Sequence, residues 1–322
     1  MVKIIIIFIF ICFSGCTATQ TGAPPSAKIS NGLINANLYL PDADKGYYQG
    51  TRFDWSGVIS ELEYMGHSYF GQWFAEYDPK THDAICGPVQ EFSEIGYTKA
   101  NVGDEFLRIG VGGLLKNDDS DFQSFRLYQI SNRGKWSVKK SSNRIVFVHK
   151  IKNVAGYSYV YTKTVSLTKG KPELVLEHTL KNTGKQTITT DVYNHNFFVI
   201  DGEPTGPNIV ITFPFEVSGR WNRDNGLGVI DGRSIKYTRE FRGRESVYIG
   251  DVQGHSQTVE DYDFRIENLK TGAGVRILCD RPISKIIFWA SSTTSCPEPY
   301  IDINVLPGEK FSWKNTYEFY KL

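Results

Sequence analysis

Few side chains in this sequence have the chemistry to move protons, and their surroundings differ. His195 lies in Tyr193-Asn194-His195-Asn196-Phe197-Phe198. An imidazole titrates near neutral pH and can give or take a proton, although a lone strand histidine also serves simply to bond a backbone carbonyl in a core. Glu298 stands between Pro297 and Pro299, which stiffen the chain and point the carboxylate. Glu91 with Glu94, and Glu298 with Asp302, are carboxylates close in sequence. A glycosidase needs two carboxylates across the scissile bond. Tyrosines and arginines are plentiful, and an eliminating enzyme would need them as base and charge neutraliser for a uronate.

Other chemistries lose support. No Cys-x-x-Cys or His-x-x-x-His spacing occurs, so no zinc site is expected and no metal or other cofactor is implied. Gly110-Val111-Gly112-Gly113 lacks the following Lys-Ser/Thr and the helix that would cradle a phosphate. Gly-x-Ser-x-Gly is absent, and no serine nucleophile stands out. The net charge of +1 is spread among mixed charges with no basic run, so a polyanion or nucleic-acid partner has no support. Aromatic residues make up 14% of the chain, which suits β-strands and equally suits the stacking of flat rings on sugar C–H faces.

The elements that must position these groups are strands. Arg144–Ile151, Tyr157–Leu167, Glu173–Leu180 and Thr187–Ile200 are alternating or β-branched runs. Phe264–Leu269, Gly274–Cys279, Lys285–Ala290 and Phe311–Tyr320 continue the pattern. Turn signals separate them at Lys169-Gly170, Asn182-Thr183-Gly184, Asp231-Gly232 and Lys270-Thr271-Gly272. No segment beyond the N-terminus has sustained helical periodicity. The pattern predicts an all-β chain folded as a large antiparallel β-sandwich. Tyr47 to Gly113 is less regular, and long loops that shape a cleft are expected there. Cys86, Cys279 and Cys296 allow at most one disulfide among themselves, and spacing does not fix which.

The N-terminus carries an address. Lys3 precedes an apolar run of about ten residues, half of what a bilayer span requires, followed by Phe13-Ser14-Gly15-Cys16. Residues 1–15 read as a lipoprotein signal peptide and Cys16 as the lipidated residue. Residues 16–30 are expected to be a flexible linker, since Thr17 to Ser26 is small, polar and proline-containing. The sandwich domain is expected over residues 31–322, exported and held to a bacterial membrane through Cys16.

Three segments together resemble one family, the aldose 1-epimerases or galactose mutarotases. Asn194-His195-Asn196-Phe197-Phe198 is similar to its Asn-His-x-x-Phe strand motif. Cys296-Pro297-Glu298-Pro299, then Leu306-Pro307-Gly308-Glu309 and the strand Phe311–Tyr320, follows the order in which these proteins close. Tyr48-Gln49-Gly50-Thr51-Arg52-Phe53-Asp54-Trp55-Ser56-Gly57 looks like the opening segment of relatives found beside polysaccharide-degrading enzymes. The resemblance spans most of residues 31 to 322. It implies a galactose mutarotase-like supersandwich, with His195 as general acid on the sugar ring oxygen and Glu298 as general base on the anomeric hydroxyl. It also implies a second histidine and an arginine that hold the sugar. His67, with its aromatic neighbours, is preferred to His82, and neither has the family's His-Gly-Gly context. Arg52 and Arg108 are the candidate arginines. Trp55 is either a sugar platform or core, and His178 would line the same face as His195 if their strands pair in register. The partner implied is a sugar or oligosaccharide. A non-catalytic glycan-binding protein is the rival reading, and a lyase or hydrolase on the same fold is a third.

Overall fold

The computed structural model describes residues 22–322. The expected signal peptide, residues 1–15, and the expected lipidation site Cys16 lie outside the described residues. The regular structure of the described residues is almost entirely antiparallel strands, arranged in four sheets. The largest has ten strands. From one edge to the other they are Lys135–Lys140, Arg144–Val154, Tyr157–Leu167, Glu173–Asn182, Lys310–Lys321, Ala273–Cys279, Asp263–Asn268, Ile209–Thr212, Ser234–Tyr237 and Gly228–Asp231. A five-stranded sheet packs on it, in the order Ser246–Ile249, Lys285–Ser291, Thr294–Val305, Ile188–His195 and Val89–Phe92. A four-stranded and a three-stranded sheet complete the molecule.

Alternation explains why the two large sheets meet face to face. In Arg144–Val154 the side chains of Ile145, Phe147, His149 and Ile151 are buried, while their neighbours are more open. Tyr157–Leu167 buries Tyr159, Tyr161, Lys163 and Val165 in the same way. Successive strand side chains point to opposite faces, so one face of each strand builds the core. The hairpins turn at the expected glycines: Gly170 and Gly232 have φ of 72° and 58°, where a Cβ would be strained.

Across the interface Phe92 meets Tyr161 edge-on at 5.4 Å and Trp313 at 6.1 Å. Tyr317 of the large sheet accepts a hydrogen bond from Asn194 Nδ2 at 3.0 Å and donates to Asn196 Oδ1 at 2.8 Å. The two asparagines flanking His195 therefore bolt the small sheet to the large one. The imidazole between them is left to face the other way.

Three expectations need correction here. Strand structure begins at Ser26, where Ser26–Ser30 pairs with Ile34–Tyr39, so the last five residues of the expected linker belong to the fold. Ile29, 2% exposed, anchors that strand in the core. His178 does not share a face with His195, because its strand belongs to the ten-stranded sheet and not to the five-stranded one. There it stacks on Trp313 at 4.6 Å and its Nδ1 bonds the Tyr161 hydroxyl at 2.9 Å. The irregular stretch Tyr47 to Gly113 holds short strands, Val58–Tyr64, Val89–Phe92, Glu105–Arg108 and Gly112–Leu115 among them, between its loops. Cys86, Cys279 and Cys296 are free and buried.

Candidate functional site

The outer face of the five-stranded sheet carries the site. Ile188–His195 and Thr294–Val305 pair so that Tyr193 lies opposite Tyr300. Carrying that register two residues further sets His195 across from Glu298. Cross-strand neighbours on one face have Cβ atoms about 5 Å apart, and here His195 Nε2 reaches Glu298 Oε1 at 3.3 Å. Ile287 pairs with Glu298 on the next strand, and Trp289, two residues on, shares its face. Tyr193 pairs with Glu91 on the other side. Tyr193, His195, Glu298, Tyr300, Ile287, Trp289 and Glu91 thus form one patch by pleat and register alone.

Loops then wall this patch into a cavity of about 500 Å³. Arg52, Trp73, His82, Asp83, Ser124 and Phe125 come from the irregular first half and Arg223 from a loop on the other side, while Tyr248 is supplied by the edge strand Ser246–Ile249. This covering shows in the strand itself. Thr294–Val305 alternates buried and exposed at its far end, at Asp302 and Asn304, but is buried on both faces from Thr294 to Ile301.

His195 is held by rings rather than by a second hydrogen bond. Phe197 stacks on it at 3.6 Å, and Trp289 and Phe53 meet it edge-on at 5.6 and 5.7 Å. Trp73 stacks on the other side of Phe197 at 4.9 Å. Phe197 takes a φ of 44°, an unusual conformation for a bulky residue, and this turn folds its ring back over the imidazole. Gly87 is packed against the Asn196 carbonyl so closely that a Cβ would lie 2.0 Å from the oxygen, so this wall of the site tolerates no side chain there.

Burial sets the charge state. It pushes the Glu298 carboxyl up to about 8, against the pull of the Arg52 cation and with the Glu91 carboxylate adding to the rise. Burial likewise drives His195 well below the usual histidine range, and Arg52 pushes the same way. At neutral pH the two side chains therefore hold one proton between them across the 3.3 Å contact.

A fixed ionic anchor stands beside this pair. Arg52 Nε donates to Glu91 Oε2 at 2.7 Å, Arg108 Nη2 donates to Glu91 Oε1 at 3.0 Å, and the Tyr193 hydroxyl also donates to Glu91. Burial alone would raise the Glu91 carboxyl, but Arg52 and Arg108 overcome it and hold the group below the usual range. Arg52 is further clamped between the rings of Phe53 and Phe125, at 4.5 and 4.7 Å. Two guanidinium groups on one carboxylate leave this wall net positive.

The remaining candidates sort clearly. Arg52 lines the cavity. Arg108 touches it through Glu91 and lines a neighbouring depression instead. Trp55 is core: its Nε1 donates to the Gly50 carbonyl at 2.8 Å, closing the loop that presents Arg52. His67 lies outside the cavity, with Nδ1 on Asp201 Oδ2 at 2.9 Å, and it is His82 that stands at the rim beside Phe125, 4.9 Å between ring centroids. A histidine on a loop, as His82, or on a two-residue strand, as His67, has no periodicity from which its side could be read. Glu298 and Asp302 are four residues apart on one strand, about 13 Å, wider than a glycosidase pair. Glu91 has both oxygens taken. Sequence reasoning missed the roles of Glu91, Trp73, Trp289 and Tyr300. Tyr300 had a signal, being two residues from Glu298 on one strand; Glu91, in a four-residue strand buried throughout, had none. Among the described residues no three His, Cys, Asp or Glu side chains converge to hold a metal.

No protein-family model and no curated protein matches the chain. Solved structures do. A GalM/aldose epimerase homologue from C. elegans superposes with a TM-score of 0.57 at 14% identity, covering 93% of this chain and 100% of that one. A putative aldose 1-epimerase from Escherichia coli K12 gives 0.56 at 14%, covering 92% and 99%. A galactose mutarotase-like protein from Clostridium acetobutylicum gives 0.55 at 13%, covering 92% and 95%. At such identities the likeness is one of fold, and the fold is that of the galactose mutarotase-like proteins, as the sequence resemblance implied.

Proposed function

We propose that this protein interconverts the anomers of a free sugar, with His195 and Glu298 as its acid–base pair. The observation that carries the proposal is their 3.3 Å contact at the floor of one cavity. Opening a hemiacetal needs one proton removed from O1 and one delivered to the ring oxygen O5. Both oxygens are bonded to C1, so the groups that serve them must stand side by side. With the shared proton placed on His195, the Glu298 carboxylate takes the O1 proton while the imidazolium delivers its own to O5, which leaves the pair's one proton on Glu298. The open aldehyde turns about C1–C2 and recloses, and the same two transfers run backwards. The pair begins and ends with a single proton, so it is regenerated in each turnover. Arg52, fixed by Glu91 and by the Tyr193 oxygen that accepts from it, offers guanidinium donors to the sugar hydroxyls, and Trp73 and Trp289 offer rings to its C–H surface.

The pH profile follows from the shared proton. Above the Glu298 value of about 8 the pair loses that proton, so activity falls as pH rises through about 8. The lowered histidine delays double protonation, so activity persists below the usual histidine range. Polarimetry of a freshly dissolved α-aldose from pH 5 to 9 measures this. An alkaline limb near 8 with no acid limb near 6.5 is expected, and a rate rising steadily to pH 9 would contradict the pair.

We further propose that the reaction takes place outside the cytoplasm, on a protein tethered through Cys16, as part of polysaccharide breakdown. The support is the sequence from Met1 to Cys16. Expression in a bacterium with labelled palmitate tests it: the label should enter the protein and be lost in Cys16→Ser, and an unlabelled wild type would remove the tether from the account.

A further inference from the structure

Beside the cavity, across a wall made of Glu91, Ser124, Tyr193 and Tyr300, lies a second depression of about 210 Å³. That is the volume of about seven liquid waters, the space of one sugar ring. The catalytic pair does not reach it: neither His195 nor Glu298 is among its lining residues. Its own side chains are of the kinds that recognise sugars. Glu94 is half-buried in it, and among the described residues it has no ion-pair partner. Arg108, 2% exposed, forms another wall; its Nη2 is used by Glu91 and the Phe92 carbonyl, while Nε and Nη1 have no protein partner. The Phe122 ring lies under this guanidinium at 5.1 Å. A carboxylate accepts from vicinal hydroxyls and a guanidinium donates to them. The four shared lining residues set the two hollows side by side, so a ligand that crosses over them reaches both.

We propose that this depression is a second sugar subsite, so that the substrate is an oligosaccharide whose reducing-end ring meets His195 and Glu298 and whose next ring rests against Glu94. This rests on the anomer-exchange reading for what the first ring undergoes, but not for where the second one binds.

Calorimetry on the purified protein separates the two. The probes are glucose, galactose, mannose and xylose, each with a 1,4-linked disaccharide ending in it: cellobiose and maltose, galactobiose, mannobiose and xylobiose. At least one disaccharide should bind about tenfold tighter than its own monosaccharide, about 1.4 kcal/mol. Glu94→Ala should remove most of that gain, and Glu94→Trp, which fills the depression, all of it. Monosaccharide affinity should stay within about twofold in both variants. Disaccharides that bind no better than monosaccharides, or a gain that survives both substitutions, would overturn the subsite. Polarimetry on the same sugars reports on the other claim: tighter disaccharide binding without anomer exchange would retain the subsite and discard the catalytic reading, and exchange without tighter binding would do the reverse.

Discussion

Replacing His195 by Asn lowers the catalysed rate of anomer exchange by about 10²–10⁴-fold, and replacing Glu298 by Gln does the same. Each substitution keeps a polar side chain of similar size in the cavity while removing one end of the proton relay. Glu298→Gln carries a second, independent signature. Glu298 is buried and its carboxyl is held up to about 8, so the folded state keeps a proton that the unfolded chain, with an ordinary carboxyl, gives up near pH 4.5. The stability this contributes is complete below the unfolded value and is lost as pH rises through about 8. A neutral Gln has no such loss. Glu298→Gln should therefore be nearly inactive yet melt several degrees above the wild type at pH 9, with the difference shrinking toward pH 5. Polarimetry and thermal melts at the two pH values check both halves. An active His195→Asn protein would remove the imidazole from the mechanism, and equal melting at both pH values would show that Glu298 is not charged at a cost.

Glu91→Ala gives the largest expected effect on stability. Arg108 and Arg52 would be left as cations in the interior with no carboxylate, and removing one partner of a buried ion pair typically costs about 3–5 kcal/mol. The Tyr193 hydroxyl would lose its acceptor as well. Because Arg52 and Arg108 hold Glu91 below the usual carboxylate range despite its burial, the stability from this anchor is present above the ordinary carboxylate value and is lost only as pH falls through the lowered one. Denaturant unfolding at pH 7 measures the loss. A change below about 1 kcal/mol, the range of an exposed pair, would show that the arginines are not held by Glu91. Activity should also fall, since Arg52 and Tyr193 both lose their fixed positions, but that readout alone does not separate anchoring from binding.

Much of the sandwich was legible because its signal is local. Tyr157–Leu167 and Lys285–Ser291 announce themselves by alternation and by the turns beside them. The galactose mutarotase-like fold was legible from motif order. What alternation cannot say is which sheet a strand joins, and His178 shows the consequence: its buried face was readable, its sheet was not. The contact between His195 and Glu298 spans 103 residues of chain and exists only through strand register, so no spacing rule could reveal it and a family likeness was needed to suggest it. Asn194 belongs to that likeness for a physical reason: together with Asn196 it faces inward to Tyr317, which fixes the outward turn of the histidine. The choice between His67 and His82 hung on tertiary contacts, with Asp201 for His67 on its short strand and with Phe125 for His82 on its loop. Nothing in their sequence neighbourhoods encodes that difference. Ser26–Ser30 was hidden by its polar composition, since only Ile29 of its five residues is fully buried.

The most direct test of the account is exchange spectroscopy by nuclear magnetic resonance on an α/β sugar mixture at equilibrium, with a catalytic amount of protein. Magnetisation should pass between the two anomeric protons faster than in buffer alone, at a rate proportional to protein concentration and abolished in His195→Asn. Sugar that binds, as seen by calorimetry, while its anomers exchange no faster than in buffer would contradict the catalytic claim and leave a glycan-binding protein on a mutarotase-like fold.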